Sequence, residues 1–496
     1  MRKPTAQLRR LVYCETLRRP PRAPADPMPD SAYVFEPHVE PIDVALQVDG
    51  ELPPQLRGTF YAIGGTGSRI GQRLLHPIDA HGRVTAVEIA DGPPRLRARM
   101  VDTPLWREET ARGEVLRRRP FTNRSSRWSN LLNAKFGNNA WHNVLRWGEQ
   151  LVATNDPGWF VLDPVTLQTR GDAPLRPAAG ASITPMPRRD PRSGRLLAFE
   201  LRPGLRDTVL VRELDPEFGV ATQRKYRLPH GATLLHDIAF TDRFYVAARW
   251  GTLSIASALW GASPAFDAIR FDAARTPALY LLPRAGGDPI VVPLPGGRLH
   301  FHFWNAFDDG DDVVVDAIGY DGPVTFDALY PPPLRAQRPP MRPTPPSSNR
   351  RYRIDARGTR VRDEPLTPLA AEAPAIRDDR RGRRHRYGWA PAPGSAGDEE
   401  DRHAYVWFHA LARHDFDAAA TQVWDAGARC YVSPAAFVPR PGSGDEDAGW
   451  IVAWIQDMGT RSAWVGIFDA ADIAAGPIAR LRASAPIGIV SHVSFG

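Results

Sequence analysis

The sequence predicts an all-β chain built as a propeller, and three observations carry that prediction. Glycine (41 residues) and proline (50 residues) together fill about 18% of the 496 residues, against a usual ~12%, and so many punctuators mean many turns. Short runs rich in β-branched and aromatic residues recur between the turns, as strands do. Helical periodicity is scarce. Many short antiparallel strands in a chain of this length suit radial repetition, which leaves only short, protected sheet edges.

The elements follow in order. Residues 1–30 are Arg- and Pro-rich without periodicity and read as a loose N-terminal arm. Strands are expected at Gln150–Thr154, Arg243–Ala248, Asp312–Asp316, Trp450–Trp454 and Ala463–Phe468, each bounded by Gly, Asp, Asn or Pro. Leu162-Asp163-Pro164 and Asp190–Gly194 read as hairpin loops of a meander. Asp417–Thr421 and Asp469–Ala475 are each long enough for only a short turn of helix. Residues 331–350, with eight prolines and four arginines, read as an extended surface loop, and residues 391–402 as a flexible acidic loop. Strand signals continue on both sides of each, so residues 31–496 are expected to form one β domain with inserted loops. No repeat is clear enough to count blades.

Composition excludes several classes. With 43% apolar and 24% charged residues the chain is not wholly disordered. Its two cysteines, Cys14 and Cys430, exclude a disulfide framework and a Cys-based zinc site. The net charge is +7, but Lys3, Lys135 and Lys225 are the only lysines, an arginine skew that reads as GC-rich coding bias. No nucleic-acid-binding motif accompanies the charge, so no nucleic-acid partner is expected. No apolar run approaches the ~20 residues of a membrane span. After Arg2, Lys3, Arg9 and Arg10 comes only Leu11–Cys14, shorter than the ~7–15 apolar residues of a signal peptide. Unpaired cysteines suit a reducing cytoplasm. The expectation is a soluble cytoplasmic protein whose basic arm makes at most weak peripheral contact with anionic lipid.

Familiar catalytic motifs are missing. Gly64-Gly-Thr-Gly-Ser68 lacks the Lys of a phosphate-binding loop, and neither a Gly-x-Ser-x-Gly elbow nor a His-Glu-x-x-His helix occurs. Asp308–Asp312 reads as a charged turn between strands rather than a calcium loop. Histidines in apolar strands remain: His236 in Leu234–Phe240, His302 in Leu299–Phe307 and His492 in Pro486–Phe495. Neutral imidazoles on separate strands can converge on iron, zinc or copper, although each taken singly reads as a core histidine. Convergence of distant ligands is a tertiary matter that spacing does not settle.

The words around these residues, from about residue 40 to the end, resemble the carotenoid cleavage oxygenase family. Leu52-Pro-Pro-Gln-Leu-Arg-Gly-Thr-Phe-Tyr61, His76-Pro-Ile-Asp-Ala-His-Gly82, Leu235-His-Asp-Ile-Ala-Phe-Thr241, Phe301-His-Phe-Trp-Asn-Ala-Phe307, Phe437-Val-Pro-Arg-Pro-Gly442 and Asp445-Glu-Asp-Ala-Gly-Trp450 occur in the family's order. The resemblance implies a seven-bladed β-propeller capped by loops. It also implies an axial Fe(2+) held by four histidines, three of them backed by glutamates, that uses O2 to cleave a C=C bond.

Carried over position by position, His236, His302 and His492 match three ligands, and Glu372 matches the carboxylate expected behind His302. Met186, in Met-Pro-Arg-Arg-Asp-Pro-Arg-Ser-Gly194, stands where the fourth histidine is expected. The other two supporting glutamates fall on Asn155, with Asp156 adjacent, and on Pro434. A thioether is a soft ligand, poorly matched to an oxygen-activating iron(II) site. A lost supporting carboxylate typically costs about 10–100-fold in affinity or activity. His142 and His300 are offered as replacement ligands, but the plainer reading, exposed or structural histidines, is preferred. The expected function is a non-haem iron(II) dioxygenase acting on an apolar apocarotenoid-like polyene or a stilbene, with no side-chain general base. The alternative is an impaired relative that carries an apolar terpenoid.

Overall fold

In the computed structural model the described residues are 35–36, 38–124, 126–132, 136–175, 177–254, 264–270, 277–322, 324, 326–337, 345–394, 408–483 and 487–496. The expected arm (1–30), residues 338–344 of the expected Pro/Arg loop (331–350) and residues 395–402 of the expected acidic loop (391–402) lie outside them. The described parts of those two ranges are not all loop: Pro332–Arg335 is a helical turn, and the strands Ser347–Ile354 and Tyr387–Ala392 reach into them.

Seven antiparallel sheets form the blades of a propeller. From the innermost strand outward, blade 1 holds His492–Phe495, Gly58–Thr66, His81–Ile89, Arg95–Met100 and Ile42–Ala45. Blade 2 runs Asn143–Trp147, Gln150–Thr154, Phe160–Leu162 and Thr169–Asp172. Blade 3 opens with Ser182–Ile183 and Arg188–Asp190, both on Arg195–Arg202, then Thr208–Leu214 and Val220–Arg227. Blade 4 runs Ile238–Phe240, Phe244–Arg249, Ala278–Pro283 and Ile290–Pro293, and blade 5 Leu299–Asp309, Asp312–Tyr320, Ser347–Ile354 and Val361–Thr367. Blade 6 runs Tyr387–Ala392, Ala410–Asp415 and Ala420–Asp425. Blade 7 runs Cys430–Pro439, Gly449–Asp457, Ser462–Asp469 and Pro477–Ala483, with Gln47–Gly50 from near the N-terminus as its outermost strand. No helix among the described residues is long and apolar enough to cross a membrane.

Hydrophobic burial explains this arrangement. A separate apolar cluster is wedged between each pair of neighbouring blades, seven in all. Strands that pack on both faces read as nearly continuous apolar runs: Gly449–Asp457 is buried throughout except at its last residue. At the rim the pattern changes to alternation, as in Pro477–Ala483. Trp389 and Trp454 are fully buried in these wedges, where truncation to alanine would cost about 3–5 kcal/mol.

All five expected strands are present, three of them extended by several residues. Asp308–Asp312 is indeed the hairpin joining the first two strands of blade 5. The nine-residue helix Pro104–Arg112 was not expected. It has no apolar stripe to betray it. It rests instead on its Thr103 cap, on Pro104 at its start, and on Glu109, whose buried carboxylate meets His81 and Arg119.

The glycine run that failed as a phosphate loop has a packing purpose. A Cβ on Gly64 would lie 1.6 Å from the carbonyl oxygen of Ile489, and one on Gly65 would lie 2.2 Å from that of Pro77. Gly64 thus lets the last segment of the chain lie against blade 1, where Ser491 N–H donates to Ile63. Gly64→Ala is expected to destabilise the fold by about 3 kcal/mol, the upper end for overpacking. Gly444→Ala, where a Cβ meets nothing within 4 Å, is the control. Thermal or urea denaturation of the pair checks this; equal stabilities would contradict the role given to Gly64.

Candidate metal centre

Four histidines meet on the propeller axis, each from the inner edge of a different blade. His492 opens the innermost strand of blade 1, and His142 immediately precedes that of blade 2. His236 lies two residues before Ile238–Phe240 of blade 4, and His302 lies within Leu299–Asp309 of blade 5. Ring centroids are 4.9 Å apart for His142–His236, 5.1 Å for His236–His302, 5.3 Å for His302–His492 and 5.2 Å for His492–His142. The four rings form a closed quadrilateral.

Local structure aims them. The pairing of Leu299–Asp309 with its neighbour slips between His300 and Phe303, and a bulge of this kind re-aims a side chain. His302 turns to the axis. His300 turns into the blade, between the Ile318 carbonyl (2.8 Å) and the Tyr352 hydroxyl (3.0 Å), and is structural. Asp237 ties three of the axial segments together. It takes a bidentate pair from Arg188 of blade 3 (3.0 and 2.6 Å) and accepts the Phe303 N–H of blade 5 (3.0 Å), while following His236 directly in the chain.

Glu372 stands behind His302. One carboxylate oxygen meets His302 Nδ1 at 2.5 Å and accepts the Ala373 N–H at 2.7 Å. The other accepts the Tyr320 hydroxyl at 2.6 Å. Met186 is buried and its backbone bridges to Asp237. The Met186 N–H donates to Thr184 Oγ1 (3.1 Å), whose hydroxyl donates to the His236 carbonyl (3.1 Å). Asn155 faces asparagines rather than an imidazole, its amide N–H groups donating to Asn138 (3.1 Å) and Asn139 (3.0 Å). Asp156 is turned to Ser182 (2.7 Å), and burial pushes its carboxyl up to about 6. Pro434 lies where the innermost strand of blade 7 bulges and offers no side-chain partner.

The electrostatics suit a cation. Protein surrounds the quartet, and burial first, then the charge each neighbour would carry, holds His142 and His492 well below the ordinary imidazole value. Burial and His302 push His236 down to about 3. His302 alone is raised: burial pulls it down, but Glu372 outweighs burial. Three neutral imidazoles carry the free lone pairs with which histidine ligates a metal, and the carboxylate behind the fourth is the partner that a metal-bound histidine commonly has. The ring nitrogens His142 Nε2 and His302 Nε2 are buried without a hydrogen-bond partner. A metal about 2.1 Å from each nitrogen would set neighbouring ring centroids about 4.5–5.2 Å apart, close to the spacing seen. The rings are gathered but not drawn into a finished shell, since among the described residues no three His, Cys, Asp or Glu side chains are in place to hold an ion as they stand. The donor set nevertheless fits a divalent transition metal.

Aromatic rings adjoin the quartet. Trp141 is 5.0 Å from His142, and Phe301 is 5.7 Å from His236. From Phe301 the rings continue to Trp250 (4.6 Å) and Phe326 (6.2 Å), and from Phe326 to Phe266 (5.2 Å).

Sequence reasoning singled out His236, His302, His492 and Glu372, named His142 only as a replacement that it set below a structural reading, and missed the part played by Tyr320, Asp237 and Arg188. The signal for His142 was weak: a histidine directly before a strand, as His236 stands before its own.

The chain is similar to known proteins along almost its whole length. The retinal pigment epithelial membrane protein family matches residues 34–495. An apocarotenoid-15,15'-oxygenase of Synechocystis is 28% identical over 90% of this chain and 92% of its own. A lignostilbene-alpha,beta-dioxygenase of Sphingomonas paucimobilis is 24% identical over 88% and 90%, and an isoeugenol monooxygenase of Pseudomonas putida 22% over 90% and 94%. The crystal structure of the cobalt-substituted Synechocystis apocarotenoid oxygenase superposes with a TM-score of 0.85 at 26% identity, covering 94% of this chain and 98% of that one. Fold, axial histidines and these matches agree that the chain belongs to the carotenoid oxygenase family, that of the retinal pigment epithelial membrane protein.

Proposed function

We propose that this chain is a non-haem iron(II) dioxygenase that cleaves a C=C bond of an apolar apocarotenoid-like or stilbene-like substrate with O2, His236, His302 and His492 holding the metal. The observation that carries the reading is the gathering of neutral imidazoles at the axis with Glu372 behind His302. When bound, iron(II) would supply oxygen activation.

The chain's own residues do the rest. Glu372 accepts the His302 Nδ1 proton and so leaves Nε2 as the donor atom facing the axis. Tyr320 and the Ala373 N–H hold that carboxylate in place. Asp237 and Arg188 lock the His236 and His302 segments to one another. Trp141, Phe301 and Trp250 offer an apolar surface beside the imidazoles, suited to binding a conjugated substrate and excluding water. No proton need be removed from such a substrate, which agrees with the absence of a general base from the reading. The carrier reading loses ground because relatives matched over about nine-tenths of the chain carry oxygenase names.

Protein purified anaerobically, loaded with iron(II) and desalted is expected to retain one iron per chain by elemental analysis, and His302→Ala to retain none. No iron on either would overturn the reading. Glu372→Gln is expected to weaken iron(II) binding by about 10–100-fold, measured by competition with a chelator. Aerobic incubation with a panel of apocarotenals and hydroxystilbenes should yield paired carbonyl products by chromatography; iron-loaded protein that converts none of them would confine the chain to binding.

A further inference from the structure

We infer that the fourth ligand of the metal centre has moved from blade 3 to blade 2: His142, not Met186, completes the set with His236, His302 and His492. The inference rests on the metal reading above and goes beyond it by choosing His142, which the sequence left undistinguished from His300 and the resemblance does not supply.

Geometry is the first support. Remove His142 and three rings remain with one side open; with it, every ring has two imidazole neighbours at 4.9–5.3 Å. The second is chemistry. His142 Nε2 is buried without a hydrogen-bond partner, a costly arrangement unless that nitrogen has another use. Met186 contributes a soft thioether, and its backbone is occupied in bridging to Asp237.

The third support is the care with which the segment before His142 is held. Asn139 donates to the carbonyls of Ile78 (3.0 Å) and Ala80 (2.6 Å), and its own carbonyl accepts the Gly82 N–H (2.7 Å). Asn155, standing where a supporting glutamate was expected, donates to Asn138 and Asn139. It holds the segment that carries the ligand rather than the ligand's ring. Ala140 sits at φ 48°, a left-handed conformation that a non-glycine residue keeps only where its surroundings demand it. A Cβ on Gly82 would lie 1.8 Å from the Ala140 carbonyl oxygen, so blade 1 leaves room for this bend and little more. Such over-determined backbone is what a preorganised ligand needs.

Cobalt(II) is the probe, read by its visible absorption and by proton NMR of the anaerobic full-length protein, with no turnover required. Wild type is expected to show four exchangeable imidazole N–H signals shifted by the metal, and His142→Ala three, with cobalt affinity lower by about 10–100-fold. Met186→Ala should bind cobalt as wild type does, and Met186→His should restore affinity in the His142→Ala background. Three such signals in wild type would overturn the inference, and this count stands even if His142→Ala fails to fold. So would an unchanged affinity in His142→Ala, or a loss in Met186→Ala. No cobalt on wild type would instead reject the metal centre itself, and this inference with it.

Discussion

Closure of the blade ring is the constraint on which everything else depends. The C-terminal strand His492–Phe495 becomes the innermost strand of blade 1 by pairing with Gly58–Thr66, while Gln47–Gly50 completes the rim of blade 7. Two ends of the chain thus lock the same junction, and the apolar wedge between blades 7 and 1 seals it. Closure also places His492 on the axis. Residues 350 positions apart in the chain, His142 and His492, then lie with ring centroids 5.2 Å apart.

The axis is a place where charge is scarce, and the sequence supplies charge there sparingly. Four imidazoles share one enclosed space, where burial and the charge their neighbours would carry make protonation of His142, His236 and His492 harder. Two carboxylates serve that space differently. Glu372 touches an imidazole directly, and Asp237 spends its oxygens on Arg188 and on backbone N–H groups that fix where the histidines stand. A buried carboxylate so fully partnered is a positioning device, since an unpaired one would cost several kcal/mol.

The arginine surplus has a related explanation. Arg284 at the edge of blade 4 joins Asp190 and Glu213 of blade 3, and Arg243 joins Asp308 of blade 5. Arg351 grips Asp316 bidentately inside blade 5. Planar guanidinium groups suit such junctions better than ammonium groups do. At these positions arginine's geometry is used as well as its charge.

The sequence by itself determined the class of fold, because turn residues, strand propensity and the scarcity of helical periodicity are local properties. It also pointed to His236, His302, His492 and Glu372, because each sits in a word whose neighbours are constrained by the same strand. Tertiary structure alone decided that His142 belongs with them and His300 does not. Both are histidines beside strand-like runs, and what separates them is a bulge at His302, a bend at Ala140 and the closing of seven blades around one axis. None of these has a local signature, since each depends on contacts between segments far apart in the chain.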